Sequence, residues 1–189
     1  MDVHQLSIAY VPEQDRILAR VNTKDGRELQ FWFTRRLTLG VVPLLDRAVT
    51  EQVARRSDLP SARVAAMDDI ARKVVAQFQK SEALTGADFA TPYKASVAHM
   101  PLFDHPLLVT EVNVVSLGTG QLRLSCTEKL AGTAGSRSFQ MALSEQLAQA
   151  FAHLLERAVV QSQWRNLPAG GLAAQLDPHP GPDKPGYLN

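Results

Sequence analysis

Several features that would define a specialised class of protein are scarce in this chain of 189 residues. The single cysteine cannot close a disulfide within the chain, which excludes a disulfide-stabilised fold. No apolar run reaches the roughly 18 to 20 residues that cross a bilayer, and the first residues lack the basic and apolar stretches of a secretory signal. We therefore expect a cytoplasmic protein with no membrane partner, whose core is stabilised by burial alone.

An excess of charge of one sign is also missing. The chain has 20 lysine and arginine residues against 19 aspartate and glutamate residues, which leaves a net charge of +1. A protein dedicated to duplex DNA usually carries a larger positive surplus, because it must neutralise several phosphates. Hydrophobic residues make up 45% of the chain and charged residues 21%, which is typical of an ordinary folded protein.

What the sequence does contain is an internal repeat. Residues 29–37 and 44–49 align without gaps on residues 139–147 and 154–159, and apolar positions fall on apolar positions throughout. In each copy an alternating apolar strand leads to Thr34 or Ser144, whose side-chain oxygen suits a helix N-cap. The repeat therefore predicts strand, cap and helix in both copies.

Two more strands precede each copy. Their apolar residues alternate with polar ones on either side of a turn: Leu6, Ile8, Tyr10 and Ile17, Ala19, Val21 in the first copy, and Val112, Val114 and Leu122, Leu124, Cys126 in the second. We predict an α+β protein with an internally duplicated βββα unit. Gly40 and Pro43 interrupt the first helix, and an interior proline costs about 3 kcal/mol, so we expect a kink or a late start there.

The repeat divides the chain into four parts. Residues 1–56 and 107–166 are the two units, and the second helix is expected at about 145–164. Residues 57–106 link the units through an amphipathic helix at 61–80 and an extended connector. Residues 167–189 are rich in proline and glycine, which predicts a disordered tail. A homodimer would form through the linking helix or an exposed sheet edge.

The outer face of the first sheet is the main candidate binding site. Period two places Arg16, Leu18 and Arg20 on one side of the second strand, with Trp32 beside them on the third, away from the core. An aromatic and an aliphatic side chain between arginines are typical of a protein interface, or of a platform on which unpaired bases stack. The alternative is a surface that other parts of the chain cover.

Arg35 and Arg36 form a second candidate, because they begin the first helix, where positive charge opposes the helix dipole. They could bind an anion or an acidic partner, and the alternative is a solvated surface.

Catalytic chemistry has little to draw on. Cys126 points into the core by phase and would behave there as a small apolar residue. The 99–105 loop carries His99, Asp104 and His105, but the spacing matches no standard zinc pattern, and the alternative is an ordinary polar loop. We predict no catalytic residue, metal or cofactor.

The order of strands followed by one long helix, given twice, resembles the repeat of the PUR and whirly proteins, which bind unpaired DNA or RNA on curved sheets. Those families have four strands in each repeat. Three are counted here, unless residues 96–103 supply another for the second unit.

Three functions follow from these patterns. The first is a non-catalytic interaction protein, an adaptor or scaffold, with a protein partner of unknown identity. The alternative is a single-stranded nucleic-acid-binding protein, as the resemblance implies. The third is an enzyme with substrate between the two units, which would have to use the 99–105 loop.

Overall fold

The computed structural model of the protein describes residues 3–56, 100–132 and 135–166, which form an α+β fold with two sheets and two long helices. The chain runs through β1 (Val3–Val11), β2 (Arg16–Thr23), β3 (Arg27–Thr34) and α1 (Arg35–Arg56). It continues through β4 (Met100–Pro101), β5 (Leu107–Leu108), β6 (Glu111–Ser116), β7 (Leu122–Lys129), β8 (Ser136–Leu143) and α2 (Glu145–Ser162). Three long strands followed by a helix thus occur in both halves, in the predicted order.

The first sheet is an antiparallel meander of β1, β2 and β3, and two short pieces of the connector extend it. Both β4 and β5 pair in parallel with the outer edge of β3, where Phe31 lies beside Leu107. The backbone N–H of Val109 donates to the carbonyl of Trp32 at 3.0 Å. Residues 100–101 therefore belong to the first sheet, and the option that residues 96–103 supply a strand to the second unit is wrong for these two residues.

The second sheet contains β6, β7 and β8, all antiparallel. The predicted alternation along β7 and β8 is confirmed, since one face of these strands is fully buried: Leu122, Leu124, Cys126, Met141 and Leu143 are at most 1% exposed. Their other face carries polar side chains toward solvent, which is the ordinary pattern of an antiparallel sheet with one packed face.

Both helices begin at the predicted caps. The backbone N–H of Leu37 donates to Oγ1 of Thr34, and that of Leu147 donates to Oγ of Ser144, each at 3.4 Å. Because α1 begins directly after Thr34 and includes Pro43, the expected late start is wrong. Buried apolar residues on both sides of the proline hold α1 against the core at Val41, Leu45 and Val49.

The two halves pack by exchanging helices. Helix α2 lies against β1 of the first sheet and against α1, while α1 lies against β6 of the second sheet. The rings of Phe31 and Phe139 contact each other across the two sheets, with centroids 4.8 Å apart. One continuous core therefore covers the apolar faces of both sheets, which a three-stranded sheet with one helix would leave wet.

The predicted linking helix at 61–80 and the tail at 167–189 lie outside the described residues, as does His99. Among the described helices, neither combines the length and the apolar character that a membrane crossing requires.

Candidate functional site

A row of apolar residues crosses the outer face of the first sheet. Strand register places Leu18 of β2 opposite Trp32 of β3, with Ala9 of β1 on its other side. Leu108 of β5 lies beyond Trp32. We call these four residues the apolar row.

Two arginines flank this row along β2. Arg16 and Arg20 lie two residues before and after Leu18, so their side chains share its face. Arg16 is opposite Thr34, and Arg20 is opposite Gln30. All four predicted residues of the sheet site thus share one face, as period two requires. We call this surface the Trp32 face.

Burial varies across the Trp32 face. Leu18 is only 7% exposed, yet it is not part of the central core cluster, because it lies on the opposite side of the sheet. Trp32, Arg16 and Arg20 are half-buried and Ala9 is exposed. Leu18 is therefore shielded from solvent, while Trp32 and both arginines retain access to it.

The outer face of the second sheet has no tryptophan. It exposes Asn113, Val115, Arg123 and Gln140, and the position equivalent to Trp32 in the repeat is the half-buried Ala142. The two outer faces therefore differ in chemistry although the sheets share the same strand order.

Arg35 and Arg36 are both exposed at the start of α1, but Arg35 has a structural contact. Its Nη2 donates to the backbone carbonyl of Trp164 at 2.5 Å. This contact belongs to a cluster of four residues, Tyr10, Asp15, Arg35 and Trp164, which we call the Asp15 cluster. Arg36 remains on the solvent side of the helix start.

The carboxylate of Asp15 is the centre of that cluster. Nε1 of Trp164 donates to Oδ1 of Asp15 at 2.6 Å, and the hydroxyl of Tyr10 donates to the same oxygen at 2.9 Å. These two donors, with a smaller contribution from the positive charge of Arg35, lower the pKa of Asp15. The hydrogen bond between Tyr10 and Asp15 raises the pKa of Tyr10. The cluster joins the end of α2 to the β1–β2 turn. Local sequence does not reveal the whole cluster, because Trp164 lies 149 positions from Asp15.

Glu128 makes a second long-range contact, which holds the connector against the second sheet. This carboxylate is 6% exposed, accepts the backbone N–H of Leu108 at 2.7 Å, and pairs with Arg137. The Arg137 guanidinium lies over the ring of Phe103 at 5.7 Å. Charged residues of this region are thus engaged in fixing the β5 segment.

The remaining predicted candidates show little reactive chemistry. Cys126 is fully buried, and burial raises the pKa of its thiol to about 12, so it stays protonated at neutral pH. Asp104 and His105 are exposed. Within residues 3–56, 100–132 and 135–166 no three His, Cys, Asp or Glu side chains are grouped closely enough to hold a metal ion.

Comparison of the chain with protein-family models, with curated proteins and with solved structures finds no match. The function must therefore be inferred from the geometry of the protein itself.

Proposed function

We propose that this protein is a non-catalytic interaction protein, an adaptor or scaffold, that binds a protein partner through the Trp32 face. The half-buried Trp32 beside Leu18, with Arg16 and Arg20 on either side, is the observation that supports this function. Tryptophan and arginine are among the residue types enriched in the side chains that dominate binding energy at protein interfaces.

The duplicated βββα architecture supports a scaffold role. We propose that the two halves arose from one unit, because residues 29–37 and 44–49 match residues 139–147 and 154–159, and both halves have the same order of elements. The helix ends behave alike as well: Trp164 after α2 contacts the β1–β2 turn, and Gln52 of α1 contacts the β6–β7 turn. Such an arrangement packs the two sheets on one core while their outer faces differ, and only the first carries a tryptophan.

The charge of the Trp32 face indicates the kind of partner. Two guanidinium groups on either side of an apolar centre suit a partner segment with an apolar side chain between carboxylates. Two copies of this face would bring like charges together. We therefore propose that a homodimer, where it forms, uses an exposed sheet edge. We also propose that the protein acts in the cytoplasm.

The test compares partner capture by two matched variants. Purified protein, Trp32→Ala and Arg123→Ala are immobilised and exposed to extract of the native cells, and each recovered partner is then titrated in purified form by calorimetry. We expect one partner to bind the parent protein and Arg123→Ala equally, and to lose at least about tenfold in affinity with Trp32→Ala, as expected for an interface hot spot. A partner that binds all three proteins equally would contradict the assignment.

A second candidate function is binding of single-stranded nucleic acid, which we propose as the alternative. The observation that favours it is the same half-exposed Trp32 between two guanidinium groups on a sheet. Fluorescence anisotropy of labelled single-stranded DNA and RNA at about 50 and 200 mM salt tests it, because phosphate-driven binding weakens severely over that span. Under this function Trp32→Ala costs about 1–3 kcal/mol of affinity. Absence of binding at tens of micromolar protein would contradict the nucleic-acid function and leave protein-partner binding as the remaining proposal.

A further inference from the structure

The last strand of the second sheet, β8, has one edge without a strand partner. In the order β6, β7, β8 it pairs with β7, and no other strand in the described parts of the chain pairs with its outer edge. The side chains of Ser136, Ser138 and Gln140 along this strand are exposed. The outer edge of β8 is therefore accessible to another molecule.

The hydrogen-bond pattern of the sheet shows which residues of β8 point their backbone groups outward. The N–H of Leu117 donates to the carbonyl of Gln121 at 2.8 Å in the β6–β7 turn, and bonded pairs alternate with unbonded pairs along an antiparallel ladder. Counting from this pair across β7, the odd-numbered residues of β8 bond to β7 and the even-numbered ones present their N–H and C=O outward. We call the backbone groups of Ser138, Gln140 and Ala142 the β8 edge.

The first half of the protein shows how the equivalent edge is completed. In the repeat, Gln30 and Trp32 of β3 correspond to Gln140 and Ala142 of β8. At β3 the connector runs parallel to the strand, and the N–H of Val109 donates to the carbonyl of Trp32 at 3.0 Å. This edge of the unit thus accepts an extended segment, and the second half presents the same backbone groups without one among the described residues.

The β8 edge also lacks the usual protection of an edge strand. Folded proteins guard such edges against pairing with charged side chains, prolines or bulges. Strand β8 contains no proline, and its register with β7 runs from end to end without a shift. Its one charged side chain, Arg137, is paired with Glu128. These features favour an edge that pairs with another chain.

The neighbours of the β8 edge determine the kind of segment it accepts. Met141 is 1% exposed, so the inner face of β8 is already closed and the side chains of an added segment make their contacts on the outer face. The outer-face side chains of β8 carry no charge, and the small Ala142 stands where β3 has Trp32. An uncharged extended segment with an aliphatic side chain beside Ala142 fits this surface, as Leu108 lies beside Trp32 in the first sheet.

Two sources within the protein itself are poorer occupants. Residues 167–189 are rich in proline and glycine, which are depleted in strands. In a second copy of β8 the apolar side chains are already buried in their own core, so it offers no free aliphatic side chain for the place beside Ala142. A twofold axis would also make the two β8 strands antiparallel, whereas the connector pairs with β3 in parallel.

We propose that the β8 edge binds an extended, uncharged segment of a partner protein, which adds to the second sheet as a fourth strand parallel to β8. In such strand addition, main-chain hydrogen bonds supply the affinity and alternate side chains supply the specificity. The site is separate from the Trp32 face and does not rest on it. It leaves the edges of β1 and β6 for the homodimer proposed above.

The test is an NMR titration of the full chain labelled with ¹⁵N, using as the probe a capped synthetic peptide of residues 106–110, which contains the β5 pairing sequence. Saturable shifts are expected at millimolar peptide for the amides of Ser138, Gln140 and Ala142. These three N–H groups should also exchange more slowly with deuterated water in the complex, whereas that of Met141, which already bonds to β7, should not change.

Three results of this titration would overturn the proposal. The first is the absence of saturable shifts at the β8 edge. The second is equal slowing of exchange at Met141, which would indicate general stabilisation and not strand addition. The third is protection of the β8 edge that rises with protein concentration in the absence of peptide, which would assign the edge to a second copy.

Proline substitutions separate backbone pairing from other contacts. A Val109→Pro peptide lacks the N–H that donates to Trp32 in the first sheet, and it should bind the parent protein at least about tenfold more weakly. In the protein, Gln140→Pro removes an outward N–H without removing a hydrogen bond to β7, and it should weaken binding of the unmodified peptide by a similar factor. Gln140→Thr keeps that N–H, so it is the matched control and should bind as the parent does.

The peptide comparison uses the parent protein, so it decides the matter alone if Gln140→Pro does not fold. Equal affinity of the two peptides for the parent protein would overturn the proposal.

Discussion

Trp164 is the residue whose replacement tests the packing of the two halves most sharply. It follows α2, is 4% exposed, and connects the second half to the β1–β2 turn of the first through Asp15. Its ring also meets that of Tyr10 edge to face, with centroids 5.6 Å apart. Removing this side chain should therefore destabilise the whole fold.

The magnitude follows from what each substitution removes. Trp164→Ala deletes a buried aromatic ring, which typically costs about 3–5 kcal/mol of unfolding free energy. Trp164→Phe keeps an aromatic ring against Tyr10 and loses mainly the hydrogen bond to Asp15. A hydrogen bond to a charged group contributes about 1.5–3 kcal/mol, and we expect the lower end, about 1.5 kcal/mol, because water can replace the lost donor at the exposed Asp15.

Urea denaturation followed by far-ultraviolet circular dichroism measures these losses without relying on tryptophan fluorescence. Arg165→Ala is the control, because it breaks only an exposed ion pair with Glu156 and should cost less than about 1 kcal/mol. A single transition is expected for every variant, since one continuous core joins both halves.

The effect of pH provides a second check on the same bond. Since the pKa of Asp15 lies below its usual value of 3.8 in the folded protein, the stability it contributes is complete above that value and is lost as pH falls through the lowered folded pKa. The cost of Trp164→Phe should therefore shrink in acid. The reasoning is refuted if Trp164→Ala lies within about 1 kcal/mol of the parent, well below the usual cost of deleting a buried aromatic ring.

Three other predictions concern the contacts around the two sheets. Glu128→Ala should lower the unfolding free energy by about 3 kcal/mol in urea, because it removes the buried carboxylate that accepts from the half-buried Leu108 N–H and pairs with Arg137. An unchanged midpoint would contradict this. Cys126 should not react with a thiol reagent at pH 8 until the protein is unfolded, since burial raises its pKa to about 12, and rapid labelling of the native protein would show the burial to be wrong. Gly26→Ala should cost about 1–2 kcal/mol of unfolding free energy, because φ is +79° at this position of the β2–β3 turn. Gly118→Ala, at a glycine without a positive φ, should be nearly neutral. Equal thermal stability of the two variants would argue against the left-handed conformation at Gly26.

Local features of the fold could be predicted from the sequence because they depend on neighbouring residues. The alternation along β2, β3, β7 and β8, and the caps at Thr34 and Ser144, follow from side-chain periodicity and from the hydrogen-bonding needs of a helix start. The position of Trp32 on the outer face follows from the same periodicity. The continuity of α1 could not be predicted from periodicity, because buried contacts on both sides of Pro43 outweigh the free energy that an interior proline costs a helix.

Long-range features could not be predicted in this way. The Asp15 cluster joins residues that are 149 positions apart, and the hydrogen bond from Gln52 to the carbonyl of Gly120 spans 68 positions. Tertiary packing also determines the exchange of helices between the two sheets and the pairing of the connector with β3. Neither feature can be predicted from composition or from hydrophobic periodicity.

Site-specific photo-crosslinking in the native cells tests the central claim most directly, namely that the Trp32 face binds a protein partner. A photoreactive phenylalanine analogue replaces Ala9, an exposed residue of the Trp32 face, in one protein and Arg123, on the outer face of the second sheet, in the other. We predict a discrete protein adduct from position 9 that resists nuclease and is missing from position 123. An adduct that nuclease removes, or the same adducts from both positions, would contradict the claim.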